Sequence, residues 1–503
     1  MGITTLNFFI FLILSIVVYY IFPKKHRWIV LLIASVIFFL LAGEYYLILY
    51  MLFGIITTYI GTRLIDEKLK SEKAKKITLF IVLFSIIVEL AGLKYINIIP
   101  TTINRFTGLF NINFNMTTIS LLAPLGISYY TLSLIGYTLD VYWTTSKAQK
   151  NIFKHALFTC YYPVMISGPI VRYEHMKKEL FEPRKFCFNN VISGIERIIY
   201  GLLKKMVIAD QLALVVNAVF SNYQKFSGIY IIIGVIFYAI QIYMDFSGCI
   251  DIVIGASKTY GVTLPENFES PFFSRNLSEF WRRWHISLGL WGKDYIMYPL
   301  LKSEKFQKLG AFCKSKFGKK IGKKIPTIIS ILILWLIIGI WHGASYKYIF
   351  AAGVLPWIYL TFSELLEGSI KKLRDIIHID YNNFSYRLFE SLRTIGLMCI
   401  IWLFALAPSF TGSFKIITNI FKISSFDLGL QLPQIPYFII FISGLVVTIV
   451  DYMKYKNKNV LEDFNRQNLI FKYIVMFGTI YIILTYGAYG PGYNPVDFIY
   501  GGF

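Results

Sequence analysis

Two tryptophan–histidine pairs are the residues of this chain best suited to chemistry. Trp284-His285 lies in a run dense with polar and aromatic side chains, and Trp341-His342 ends an apolar stretch. The chain has only six histidines. Imidazole is the side chain that moves a proton most readily near neutral pH. An ionisable group beside a hydrophobic span is costly, so its presence there points to function. A histidine that merely caps a helix or bonds a carbonyl is the bland alternative, and the neighbouring residues weaken it. Trp281, Trp284, His285 and Leu288 follow i, i+3, i+4, i+7 spacing and are expected to share one helical stripe, with Arg282 on another face and Arg283 between. An aromatic-walled imidazole with cations at the water boundary suits an anionic or thioester-bearing donor held near a base. An interfacial aromatic belt with snorkelling arginines is the structural alternative.

The elements that must position these residues are membrane spans. Over 503 residues the chain is 56% hydrophobic and only 16% charged, which excludes a soluble globule and implies an all-α, polytopic membrane protein with one membrane domain over 1–503. Apolar runs predict helices over 6–22, 28–43, 45–62, 77–98, 120–139, 152–171, 226–256, 326–342, 345–366, 388–409, 435–453 and 469–488. That makes about 10–12 transmembrane or re-entrant helices. The stretch 188–222, with Arg197, Lys204, Lys205 and Asp210 among apolar residues, reads as amphipathic or partly inserted.

The net charge of +22 is gathered into short basic segments between apolar runs, the pattern of loops held beside a cytoplasmic leaflet. A nucleic-acid partner is excluded as the reason for it. The first apolar run lacks a basic n-region and precedes Lys24-Lys25-His26-Arg27, so a retained first span with its N-terminus outside is expected. Loop 63–76 then lies inside and 99–119 outside. Basic loops 144–154 and 172–185 flank a segment with Pro163, Gly168 and Pro169, so 155–171 reads as re-entrant. The segment 302–324 holds nine lysines against one acid, Glu304, and is expected in the cytoplasm.

Several further residues join the candidate site. Gly343 after His342 lets the chain turn or another group approach closely. Asp245 and Asp251 place two carboxylates in an apolar helix, as a proton relay or, in the favoured reading, as structural partners of Arg275, Arg282 or Arg283. The five cysteines show no paired spacing, and neither a disulfide framework nor a metal site is expected.

These motifs resemble the membrane-bound O-acyltransferase family, in its bacterial branch of alginate O-acetylation, peptidoglycan O-acetylation and D-alanyl transfer. The resemblance rests on Pro163 with Gly168-Pro169, on Tyr243 with Asp245-Phe246-Ser247-Gly248, and on Pro265-Glu266-Asn267-Phe268. Its most specific part is Phe280-Trp281-Arg282-Arg283-Trp284-His285-Ile286-Ser287-Leu288. Trp291, Asp294-Tyr295, Trp341-His342-Gly343 and the closing Phe498-Ile499-Tyr500 complete it. The resemblance implies a ring of tilted helices around a central tunnel, with His342 as the main catalytic residue and His285 assisting. Trp281, Arg283, Trp284, Asn267, Asp294, Tyr298, Trp341 and Gly343 are expected along the donor path, with Asp245 and Arg282 in support. Where family members often carry Trp-Phe-Arg-Asp-Tyr, this chain has Trp291-Gly292-Lys293-Asp294-Tyr295, and Pro299-Leu300-Leu301-Lys302 stands where Pro-Leu-Gly-Gly is common.

The expected function is therefore O-acyl transfer in the cell membrane. A cytoplasmic acyl thioester, either acetyl-CoA or an acylated small acidic carrier protein, is the co-substrate, with no bound cofactor. The acceptor is an extracytoplasmic envelope polysaccharide or a partner acetyltransferase. Acetyl is the expected group, and D-alanyl transfer to teichoic acid is the alternative. His342 acts as general base, while His285 positions the donor or stabilises the oxyanion alongside Asn267 or Trp281. A transporter or flippase also accommodates buried carboxylates and broken helices, but the chain shows no paired repeats. A scaffold role leaves the histidines dispensable.

Overall fold

The computed structural model describes residues 1–490 except 111, 113, 120, 121, 166, 227, 344 and 423–431, with the backbone alone at Arg105. The closing Phe498-Ile499-Tyr500 motif lies outside these residues. Among the described residues the regular structure is helical, and nine helices are long and apolar enough to cross a membrane. They are Lys24–Ala42, Tyr45–Lys68, Glu72–Tyr95, Ile229–Thr259, Ile325–His342, Tyr346–Ile376, Phe384–Leu406, Tyr437–Tyr455 and Leu469–Tyr486. The apolar helix Leu6–Ile21 is shorter. This is the all-α polytopic architecture expected from the composition.

Several boundaries differ from expectation for identifiable reasons. The span placed at 120–139 runs instead over Ile127–Tyr142, entered through Gly126 in the left-handed conformation (φ 73°). The presumed loop 99–119 contains the helix Ile98–Leu109. The segment 152–171 divides into Ile152–Cys160 and Tyr162–Met165, each far short of the roughly 20 residues a crossing needs. The lysine-rich segment is mostly the helix Glu304–Gly322, begun by a Ser303 side chain that accepts from the Phe306 amide and interrupted at Gly318 (φ 74°, ψ 165°).

Contacts divide the described chain into two units. The first holds residues 1–202 and 249–265. Within it the Phe188–Leu202 helix meets the end of Ile229–Thr259 where Gly194 and Gly255 face each other. A Cβ on either glycine falls 2.6 Å from the other's carbonyl oxygen, so only glycine permits this approach. A buried hydroxyl chain runs from Ser15 through Tyr260 to Tyr162, at 2.5 and 2.7 Å. Asp251 in this unit pairs with Arg197 at 2.9 Å.

Among the described residues the second unit holds 203–248 and 266–490 and contains both tryptophan–histidine pairs. It begins with a π-helical turn, Leu203–Ala209, that continues into the helix Asp210–Ser221. The amphipathic expectation for 188–222 holds for the helix Phe188–Leu202 and fails from Leu203 onward. Lys204, Lys205 and Asp210 are all buried, because the lysines find partners inside the unit instead of reaching for the interface.

Candidate active site

His285 is positioned by a break in the helix, not by a helical stripe. Leu277–Arg283 is a helix capped by Asn276, whose side chain accepts from the Glu279 amide. Trp284 is then extended (φ −109°, ψ 126°), and His285 takes the left-handed conformation (φ 48°, ψ 52°) before a second helix, Ile286–Gly292. The expected stripe of Trp281, Trp284, His285 and Leu288 is therefore broken at its second and third members, neither of which is helical. A left-handed residue with a side chain costs about 1–2 kcal/mol, which surrounding structure must hold in place.

A short antiparallel pairing with residues 267–269 does so. The Glu269 amide donates to the Arg283 carbonyl at 2.9 Å, Phe268 bridges Trp284, and the Ile286 amide donates to the Asn267 carbonyl at 3.0 Å. Asn267, fully buried, then completes the join with its side chain. Its Oδ1 accepts from the Ser287 amide at 3.0 Å and from Ser287 Oγ at 2.8 Å. Those two bonds satisfy donors at the start of the second helix.

His285 Nδ1 lies 3.3 Å from the same Asn267 Oδ1. A backbone N–H always donates, so the Ser287 contact identifies that atom as the amide oxygen, and the His285 contact is a hydrogen bond in the tautomer that carries its proton on Nδ1. Nε2 then carries the lone pair. His285 stands outside the nine long apolar helices. Burial first, and then the nearby His342, hold its pKa well below the ordinary histidine value, so it is neutral at physiological pH. A neutral imidazole in this tautomer accepts at Nε2 and has no proton there to offer an oxyanion. Of the two auxiliary roles expected for it, oxyanion donation does not fit this geometry.

His342 is the last residue of the helix Ile325–His342. Two glycines set its place. Gly339 packs on Gly353 of the π-helical turn Phe350–Val354, where an added Cβ meets the Gly353 backbone at 3.1 Å, and a Cβ on Gly343 meets the Tyr348 ring at 2.6 Å. Trp341, buried, lies against both histidines, its ring 4.9 Å from that of His342 and 6.3 Å from that of His285. Phe246 closes on His285 edge-to-face at 4.9 Å, while Trp284 stacks on Phe280 and meets Trp402 at 5.4 Å. Trp281 meets Trp335 of the His342 helix at 4.6 Å. Trp281 Nε1 and Asn267 Nδ2 are both buried N–H donors without a hydrogen-bond partner among the described residues. Dry donors of this kind are what an acyl carbonyl oxygen needs as it gains charge.

The other candidates have surroundings of their own. Arg283 bonds Glu279 at 3.0 Å and the Glu269 carbonyl at 3.1 Å, and sits over the Tyr455 ring, so it braces the pairing that holds His285. Arg282 and Tyr298 are exposed, and Asp294 is half-buried in the π-helical turn Lys293–Met297. Asp245 does not take its expected arginine partner. It pairs with Lys205 at 2.5 Å, Lys205 also holds Asp210 at 2.7 Å, and Arg275 instead pairs with Glu390 at 2.6 Å. Lys204 bonds Ser247, and Tyr243 donates to Asp451. Spacing alone does not predict this buried network; its visible signals in the sequence are Lys204, Lys205 and Asp210 among apolar residues and Asp245 in an apolar helix.

The two arginines are expected to separate in a mutational test. Arg283→Ala should lower both the melting temperature and the activity, since it removes a charge-assisted brace on the His285 join, whereas Arg282→Ala should stay within about 0.5 kcal/mol of the parent. Thermal melts and transfer assays on both variants check this, and equal losses contradict it.

A model of the membrane-bound O-acyltransferase family matches residues 146–404, a range that includes both histidines, Asn267 and Trp281. The chain belongs to the membrane-bound O-acyltransferase family. The acyltransferase reading of the sequence stands with that membership. The chain is 29% identical over 373 residues to a probable alginate O-acetylase of Azotobacter vinelandii, covering 73% of this chain and 70% of the relative. It is 26% identical to a peptidoglycan O-acetyltransferase of Helicobacter pylori, covering 64% of this chain and 63% of the relative. A teichoic acid D-alanyltransferase of Bacillus subtilis is 28% identical, over 51% of this chain and 62% of the relative. The latter two matches thus span less than two thirds of the relatives' own length.

Proposed function

We propose that this membrane-bound O-acyltransferase moves an acetyl group from a cytoplasmic thioester to hydroxyls of an extracytoplasmic envelope polysaccharide, working with a partner protein in the plasma membrane. The observation that supports this best is the pairing of two histidines around Trp341, one of them held neutral with its lone pair at Nε2. His342 takes the hydroxyl proton as the oxygen attacks the thioester carbonyl. The C–O bond forms, the C–S bond breaks, and the departing thiolate receives that proton as a thiol. Trp281 and Asn267 offer N–H groups to the carbonyl oxygen, and Trp284 and Trp341 wall the site against water. Gly343 keeps His342 at the helix end. Asp294 and Tyr298 line the approach of the donor.

The whole of 1–503 is read as one membrane domain, with its N-terminus outside and the basic helix Glu304–Gly322 in the cytoplasm, where thioesters are made. A cysteine placed at Lys316 and alkylated only from outside intact cells would overturn that orientation. Acetyl is preferred because the Azotobacter relative, named as a probable alginate O-acetylase, matches 73% of this chain, a larger share than the D-alanyltransferase relatives match. D-alanyl transfer is the second reading, favoured by the Bacillus relative and by the nine lysines at 302–324, which suit an acidic carrier protein. Purified protein offered labelled acetyl-CoA and labelled D-alanyl carrier in parallel tests the choice. Acetyl label in an isolated envelope polysaccharide is expected; label from the D-alanyl carrier alone replaces the first reading with the second.

A further inference from the structure

His285 faces a choice that its neighbours have already made. Free neutral histidine exchanges its proton between Nδ1 and Nε2, and only one tautomer presents a lone pair at a given nitrogen. Here the Ser287 amide fixes which end of the Asn267 side chain is oxygen, and that oxygen accepts a hydrogen bond from His285 Nδ1–H. The backbone carbonyl of Asn267 meanwhile holds Ile286, so the same residue fixes both the left-handed turn at His285 and the orientation of its ring.

We propose that Asn267 is a positioning residue that commits His285 to the Nδ1–H tautomer, so that His285 serves the reaction as a neutral hydrogen-bond acceptor at Nε2 and never as an oxyanion donor. This rests on the acyl-transfer reading given above. An amide in this place differs in consequence from a carboxylate. Both accept from Nδ1–H, but a carboxylate also stabilises imidazolium and raises the histidine pKa, whereas an amide leaves the ring neutral in its dry surroundings. Neutrality keeps the lone pair available, and it spares His342 a second positive charge when that residue takes up a proton. The carbonyl oxygen of the thioester then draws its hydrogen bonds from N–H groups other than His285.

The test is Asn267→Asp, which keeps an acceptor for both Ser287 and His285 and is close to isosteric; it also removes the Nδ2 donor, so the overall rate falls and only the position of the acid limb reports on His285. Transfer from a labelled thioester is measured against pH for the wild type, N267D and N267D/H285A. N267D should show an acid limb in kcat/KM displaced upward by about one pH unit or more relative to wild type, because protonated His285 has lost its lone pair. Residual activity of N267D/H285A should lack the displaced limb. A merely structural role for Asn267 changes the amount of active enzyme but leaves the limb in place, so an N267D profile superimposable on that of wild type, after scaling, overturns the proposal. So does a displaced limb that survives in the double variant. Wild-type protein that moves no acyl group defeats the functional reading instead, and the two failures are thereby distinguished.

Discussion

Replacing His342 with alanine is expected to abolish acyl transfer while leaving the protein folded. The residue ends its helix and is only half-buried. What holds this corner together is backbone proximity at Gly339 and Gly353 and the Tyr348 ring against Gly343, none of which involves the imidazole. Loss of a general base costs about a hundredfold to ten-thousandfold in rate. Initial rates with saturating thioester, together with a melting curve in detergent, check both halves of this expectation. A rate within about threefold of wild type would exclude His342 as the base.

Replacing Lys205 with methionine should have the largest effect on stability. Its ammonium lies between two buried carboxylates, at 2.5 Å from Asp245 and 2.7 Å from Asp210. Removing one partner of a buried ion pair leaves a charge in a dry interior and costs about 3–5 kcal/mol. Lys205→Met should therefore accumulate poorly and melt far below wild type. Neutralising the set together, as K205M/D210N/D245N, removes the stranded charges and should recover much of the loss. A single variant that melts like wild type contradicts the account. The consequence reaches the site: Asp245 is followed by Phe246, whose ring rests on His285. The triple variant thus also shows whether this network matters to transfer beyond keeping the unit folded.

The spans were legible in the sequence because about 20 apolar residues in a row have few fates other than a membrane helix. Both histidines were legible too, since an imidazole beside a long apolar helix calls for an explanation. Local irregularity was not. The spacing of Trp281, Trp284, His285 and Leu288 satisfies a helical stripe perfectly well, and nothing within those residues announces the left-handed turn. That turn is imposed by Asn267, 18 residues upstream, through a pairing that sequence periodicity does not encode. The fate of Lys204 and Lys205 was hidden for a similar reason. Their charge suggests a wet helix face, and burial becomes tolerable only through partners such as Asp245, 40 residues away and on another helix. Arg283 was expected along the donor path and instead braces Glu269 and Glu279, because an arginine beside a carboxylate and a free carbonyl satisfies its donors locally.

The most direct measurement is acyl transfer by purified protein in detergent, with labelled acetyl thioester and a hydroxyl-bearing envelope polysaccharide, where no membrane gradient exists. The account predicts label appearing in ester linkage to the polysaccharide with wild type, and none above background with His342→Ala. Label that moves only when the protein is sealed in vesicles under a gradient, with no ester formed in detergent, would contradict it and make the chain a transporter of its substrate.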